Sequence, residues 1–270
     1  MRASEWVAVV YFGYLFVIAL TRPPWPRRRP AMGASLAAMV VIGSQRLWPV
    51  TPLALVARDR LPAMYLVTGY WLSGWYFVEP MRGIEARFLA VDWRVLGRDG
   101  GSALVESLPR ALLEVLEFAY VTCFLFVPGG LVILALTGHA AAADRFWTLV
   151  LLGEFGSFAM LPWIQTRPPR VIEPPGAFDR RPLLMRRLNR LQVQTTSIGV
   201  NTFPSGHVAG ALATAIAVSE VLPALAPWLL AVVAAIAIAA VLGRYHYFVD
   251  AVAGAWLTLV AWALVRGLWR

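Results

Sequence analysis

Residues 203–254 read FPSGHVAGALATAIAVSEVLPALAPWLLAVVAAIAIAAVLGRYHYFVDAVAG. This stretch decides the fold because it sets two apolar runs, 207–222 and 226–243, between two polar motifs. Each run is close to the length that crosses a bilayer as a helix. One goes down and the next comes back, so His246 returns to the membrane face that holds His207. Asp250 follows His246 by one helical turn and shares its face if the next run is a helix.

Further runs of similar character lie at about 6–20, 32–50, 61–79, 111–136, 146–164 and 249–266, giving eight candidate spans. The composition agrees: 59% of residues are hydrophobic and only 14% charged, with a mean hydropathy of +0.65. That is too much apolar surface for one water-soluble core, and it predicts an all-α, polytopic membrane helix bundle. The first run follows Arg2 and has no small-residue cleavage site before TRPPWPRRRP, so it reads as a retained span rather than a signal peptide. Residues 1–60 then form two N-terminal spans with an arginine-rich loop, and residues 61–270 a six-span unit. Between spans, 79–110 mixes both signs of charge with apolar residues and predicts a short amphipathic helix in the headgroup region. The segment 166–203 reads as the longest irregular loop, and it carries Arg180, Arg181, Arg186, Arg187 and Arg190.

All 24 basic side chains are arginine. Lysine Schiff-base chemistry and lysine phosphate clamps are excluded, whereas the forked guanidinium suits phosphate well. A formal charge of +9 favours anionic lipid headgroups. The single cysteine, Cys123, excludes an intramolecular disulfide and a thiolate metal cluster; it lies in an apolar run and reads as packing. Glu114, Glu117, Glu154 and Glu220 fall within or at the ends of apolar runs and should face the bundle interior or a hydrated cavity. His139, in TGHAAAADR, reads as a loop residue.

Phosphoryl transfer through an enzyme nucleophile needs the nucleophile, a proton donor for the leaving oxygen and cations for the remaining oxygens. The C-terminal half supplies all three. Asp250 can accept the proton on one ring nitrogen of His246, fixing its tautomer and freeing the other nitrogen to attack phosphorus. His207 opens a helix after a Pro-Ser-Gly turn, where free N–H groups and the Ser205 hydroxyl can hold phosphate oxygens and the imidazole can act as general acid. Arg167 and Arg170 in TRPPR, together with Arg244, complete the cationic lining, and Pro168 and Pro169 stiffen that turn.

FPSGH and the H-x-x-x-D of HYFVD resemble the second and third signatures of the type 2 phosphatidic acid phosphatase superfamily. RYHYFVDAVAG is most similar to the branch that includes inositol phosphorylceramide synthases, and TRPPR occupies the place of the first signature. The resemblance implies a six-helix core, here with two additional N-terminal helices, and a metal-independent reaction without a cofactor. It makes His246 the phosphohistidine-forming nucleophile, Asp250 its orienting partner and His207 the acid, with Ser205, Gly206, Arg167 and Arg244 on the phosphate. Two departures stand out. Met160 occupies the position of the first signature's lysine, and Ala239 and Ala240 replace the Ser-Arg of the third, a loss that Arg170 and Arg244 are placed to offset.

The expected activity is that of an integral membrane lipid phosphatase or phosphotransferase. Its partners are membrane lipids rather than nucleic acid: a phosphorylated donor, with water or a second lipid's hydroxyl as acceptor. An inositol phosphorylceramide synthase-like headgroup transferase is the alternative, and a non-catalytic transporter or scaffold of the same fold is the third reading. If all eight runs cross, the face bearing the motifs carries 17 of the 24 arginines. The positive-inside rule would make that face cytoplasmic; the resemblance implies an extracytoplasmic active site in a bacterial inner membrane.

Overall fold

The computed structural model describes residues 1–268. Among them the chain is all-α: α1 (Ala3–Thr21), α2 (Arg28–Ser44), α3 (Pro52–Gly74), α4 (Arg82–Leu96), α5 (Ser102–Ser107), α6 (Arg110–Leu136), α7 (Ala143–Ala159), α8 (Pro169–Ile172), α9 (Ala177–Arg180), α10 (Leu184–Thr196), α11 (Gly206–Val221), α12 (Ala226–Leu242) and α13 (Phe248–Leu268). Each of the eight apolar runs becomes a long helix. Four stretches, 3–21, 110–136, 223–242 and 248–267, are long and apolar enough by themselves to span a bilayer. α2, α3 and α7 are diluted by polar residues or short, and α11 is a shorter apolar helix. These helices rely on neighbours rather than on their own hydropathy.

α11 is the central helix and packs against α6, α7, α12 and α13. Its sequence explains this position: Ala209, Gly210, Ala211, Ala213, Ala215 and Ala217 are all buried, and small side chains let helix backbones approach closely in lipid. At Gly254 of α13 the backbones meet, for a Cβ there would stand 2.5 Å from the Ser205 carbonyl oxygen. The polar FPSGH turn is thereby clamped against the helix that carries Asp250. On the outside, Leu36, Val40, Leu125, Val132, Leu136, Trp228 and Leu264 are exposed on helix surfaces. Such a belt of large apolar side chains suits hydrocarbon and would be ruinous in water.

At the membrane face opposite the motifs, α1 is pinned to α3 and α7. Glu5 binds Arg58 at 2.7 Å, Arg2 reaches Asp59 at 2.5 Å, and Asp144 accepts the Ala3 and Ser4 backbone N–H groups, both at 3.1 Å. Those acids sit at a helix N-terminus, where negative charge is favoured. The N-terminal helices also share an apolar cluster with the rest of the bundle, in which Tyr11 stacks on Phe155 at 4.0 Å.

The motif-bearing face is roofed by α4, α5 and α8–α10. The expected amphipathic helix in 79–110 is α4, which lies across α13. The segment 166–203 differs from the irregular loop expected, because it contains three helices. In α10, LMRRLNRLQVQTT, the buried side presents Arg186 and Asn189, while Leu184, Leu188 and Leu191, at i, i+4 and i+7, lie on the exposed side, so the amphipathic repeat is inverted relative to a water-soluble helix.

Candidate active site

The turn between α12 and α13 holds His246 in place before any side chain acts. Arg244 adopts a positive φ of 59°, and the Tyr245 and His246 N–H groups both donate to the Ala240 carbonyl at 2.9 Å. The turn's own carbonyls are also taken. Arg244 O accepts from Arg170 N at 3.1 Å, Tyr245 O accepts from the Arg170 guanidinium at 3.2 Å, and Gly243 O accepts from Arg186 at 3.0 Å.

His246 Nδ1 faces Asp250 Oδ2 at 3.3 Å, and its Nε2 faces His207 Nδ1 at 3.0 Å. Asp250 is fully buried. Its Oδ2 also accepts from the Tyr247 N–H at 2.9 Å, and its backbone carbonyl accepts from Ser205 N at 2.9 Å. When Asp250 is ionised it cannot donate, and the proton between Asp250 and His246 then belongs on Nδ1. His246 Nε2 is then an acceptor, and His207 Nδ1 supplies the hydrogen between the rings. Burial, with the charge of Arg170 second, pushes the His246 imidazole down to about 3, so the ring is neutral at physiological pH.

His207 occupies the first turn of α11, with Tyr120 and Phe124 rings 5.4 and 5.1 Å away. Ser205 caps that helix, its hydroxyl accepting the Val208 N–H at 3.4 Å. Gly206 is a steric necessity, because a Cβ there would stand 2.8 Å from both Glu154 Oε2 and the Phe158 ring.

The three arginines do not share one role. Arg170 lines the small cavity that also exposes His207 and His246, and its guanidinium lies 5.4 Å from the centre of the Tyr245 ring. Arg167 makes a forked pair with Glu85, Nε to Oε1 at 3.0 Å and NH2 to Oε2 at 2.8 Å, which holds the Glu85 carboxyl below its ordinary range. Arg244 binds Asp92 at 2.6 Å and Glu173 at 2.7 Å. The structure thus brings His207, His246, Asp250, Ser205, Gly206 and Arg170 together, and it directs Arg167 and Arg244 onto carboxylates.

A buried network behind the turn escaped the sequence reading. Arg186, only 4% exposed, reaches Glu117 at 3.0 Å and Asp179 at 2.9 Å. Glu117 in turn accepts from Tyr245 Oη at 2.8 Å and Asn189 Nδ2 at 2.6 Å. Glu117 thus does face the interior, as a structural anchor, while Glu114 accepts the Leu184 and Met185 N–H groups that begin α10. Asn201 is a second residue missed, although it opens the NTFPSGH motif. It stands against Asp250, yet Asn201 Oδ1 and Asp250 Oδ1 both lack a partner while Asn201 Nδ2 contacts Thr166 Oγ1 at 3.1 Å.

The cavity at the two histidines is small, about 30 Å³. A second, apolar cavity of about 390 Å³ adjoins it, lined by Leu66, Val67, Phe124, Val127, Glu154 and His207 among others. Tyr70, Phe124, Thr202 and His207 border both. Among the described residues there is no cluster of acids, histidines and cysteine with the arrangement of a metal site.

Neither the curated proteins nor the solved structures gave a match. A protein-family model described as the PAP2 superfamily matches residues 100–264, from the start of α5 nearly to the end of α13 and across both histidine motifs. The chain belongs to the PAP2 superfamily.

Proposed function

We propose that this integral membrane protein is a lipid phosphatase or phosphotransferase that works through a phosphohistidine on His246. The observation that carries the reading is the Asp250–His246–His207 line, with Nδ1 of His246 held at 3.3 Å by the carboxylate and Nε2 aimed at His207 at 3.0 Å. In the first step the Nε2 lone pair attacks phosphorus. The bond from phosphorus to the lipid oxygen breaks, and His207, made imidazolium by a proton taken up with the phosphate, protonates that oxygen. In the second step an acceptor oxygen attacks the phosphohistidine, its proton passes to His207, and the N–P electron pair returns to Nε2.

The phosphoryl group must stand between the two ring nitrogens, so the rings part when substrate enters. Arg170, the guanidinium in that cavity, is assigned to the equatorial oxygens, with Ser205 and the α11 N-terminus beside it. Arg167 and Arg244 would join the phosphate only by giving up Glu85, Asp92 or Glu173. Their assigned roles are therefore ligand exchange on binding, or support of the roof over the site.

The apolar cavity reaching His207 favours a lipid whose hydrocarbon lies between α3, α6, α7 and α11. Its size also leaves room for a lipid acceptor, as the inositol phosphorylceramide synthase-like reading requires. The active site is assigned to the extracytoplasmic side of a bacterial inner membrane. Arg167, Arg186, Arg190 and Arg244 of that face are committed to ion pairs with Glu85, Glu117, Asp179, Asp92 and Glu173, so reasons other than topology account for their presence. Cleavage of a protease site inserted between 181 and 184 only after the inner leaflet is opened would reverse that assignment.

The deciding assay follows phosphorus-labelled lipid phosphates and diphosphates in micelles with ceramide and diacylglycerol present. Label in inorganic phosphate makes the protein a hydrolase, and label in a new lipid makes it a transferase. Label that moves equally well with His246→Ala refutes the proposal.

A further inference from the structure

Glu154 of α7 is the acid that this reaction leaves unused. It is only 9% exposed, and among the described residues it has neither a hydrogen bond nor an ion pair, while its oxygens are not among those shut off from all accessible surface. A carboxyl in that state is costly in an apolar setting. It is also fitted into place. A Cβ on Gly210 would lie 2.0 Å from Glu154 Oε1, and one on Gly206 would lie 2.8 Å from Oε2. The two glycines are one turn apart on α11 and flank the position of His207. Together they form a notch that the carboxyl fills and that alanine at either site would close.

Glu154 lines the apolar cavity of about 390 Å³ whose walls include Leu66, Val67, Trp71, Phe124 and Val127, together with His207. Glu154 and His207 line the same cavity, and the Glu154 oxygens lie against the two glycines on either side of His207, so a lipid in that cavity with its ester oxygen at His207 has its neighbouring atoms beside Glu154. A hydrocarbon there would leave the carboxyl unsatisfied, whereas a hydroxyl or amide N–H would donate to it. An enclosed polar group of this kind discriminates strongly against a ligand that lacks the matching group.

Building on the lipid phosphoryl-transfer reading, we infer that Glu154 binds a hydrogen-bond donor, a hydroxyl or an amide N–H, carried by the lipid within a few bonds of the phosphorylated oxygen. The substrate class narrows accordingly to lysoglycerolipid-like or sphingoid-like phosphates, and it turns away from plain polyprenyl phosphates. Glu154 is then a specificity residue of the lipid cavity, separate from the histidine chemistry.

The test compares two alkyl glycerol phosphates with the same tail, one with a free hydroxyl on the middle carbon and one with that hydroxyl methylated. The purified full chain in detergent micelles is measured with each, alongside Glu154→Gln and Glu154→Leu. Wild type should favour the free hydroxyl in kcat/KM by roughly tenfold to a hundredfold. Glu154→Gln, which keeps an acceptor, should retain a reduced preference, and Glu154→Leu should lower it further, to what the added methyl alone costs. If Glu154→Leu fails to fold, the wild-type preference and its reduction in Glu154→Gln decide the matter. Equal kcat/KM in wild type, or a preference undiminished in the variants, overturns this inference while leaving phosphoryl transfer at His246 standing. Absence of turnover of both lipids and of any phosphoryl label on the protein instead overturns the functional reading on which the inference rests.

Discussion

Replacing Asp250 by Asn alters one proton position and almost nothing in shape. In the wild type, Oδ2 of Asp250 accepts from His246 Nδ1 and from the Tyr247 N–H. Asparagine has one oxygen and one NH2. Both bonds converge on that one oxygen, so an asparagine that places its own oxygen there keeps them as neutral hydrogen bonds, whereas one that places its NH2 there sets a donor against Nδ1 and against the Tyr247 N–H. In the second orientation the imidazole shifts its hydrogen to Nε2, the atom that must attack phosphorus, and in the first it loses the charge of its partner. Losing the charge-assisted bond alone is worth about 1.5–3 kcal/mol, or roughly 10- to 100-fold in rate. The tautomer fault sets the upper end, since the same fault in a Ser-His-Asp triad costs about 10⁴-fold. Turnover of labelled lipid phosphate should therefore fall by roughly 10- to 10⁴-fold. Acid-labile phosphoryl label on the protein should fall with it, and the melting temperature in detergent should stay within a few degrees of wild type. An Asp250→Asn protein that melts normally and turns over within about threefold of wild type, well inside the smallest loss expected from the missing bond, would refute the assignment of Nε2 as nucleophile.

Two further outcomes follow from the same geometry. Arg186→Met removes the guanidinium shared by Glu117, Asp179 and the Gly243 carbonyl, leaving a buried acid without its cation; the expected loss is about 3–5 kcal/mol of stability, seen as a large drop in melting temperature, and a melting curve unchanged from wild type would refute it. His246 is held neutral down to about pH 3 in the folded chain but takes up a proton near 6.5 when unfolded. The unfolded state therefore binds the extra proton between those values, and stability falls as pH drops through that window. His246→Gln should show a shallower loss of melting temperature between pH 6.5 and 4 than wild type, and parallel curves would refute that.

What the sequence made legible, and what it hid, divides along the range over which residues act. The eight long helices follow from apolar runs, which are local, and so does the pairing of His246 with Asp250, which is a single helical turn. The meeting of His207 with His246 is a contact across 39 positions, yet it was legible too, because bilayer thickness turns two spans of known length into a fixed return to the same face. The arginines had no such constraint. Arg167 meets Glu85 82 positions away, and Arg244 meets Asp92 152 positions away, across a roof of short interfacial helices whose placement no membrane-crossing rule dictates. Nothing in TRPPR distinguishes a guanidinium reserved for a carboxylate from one reserved for a phosphate, since both ligands present the same oxygen fork. Separating them needed Glu85 and Asp92 on the buried side of α4, and those acids read in sequence as ordinary charges on an amphipathic surface. The roof consequently has a physical role of its own. Its acids, Glu85, Asp92, Glu173 and Asp179, hold the arginines around the histidine turn in fixed positions, leaving Arg170 as the guanidinium that lines the cavity at His207 and His246.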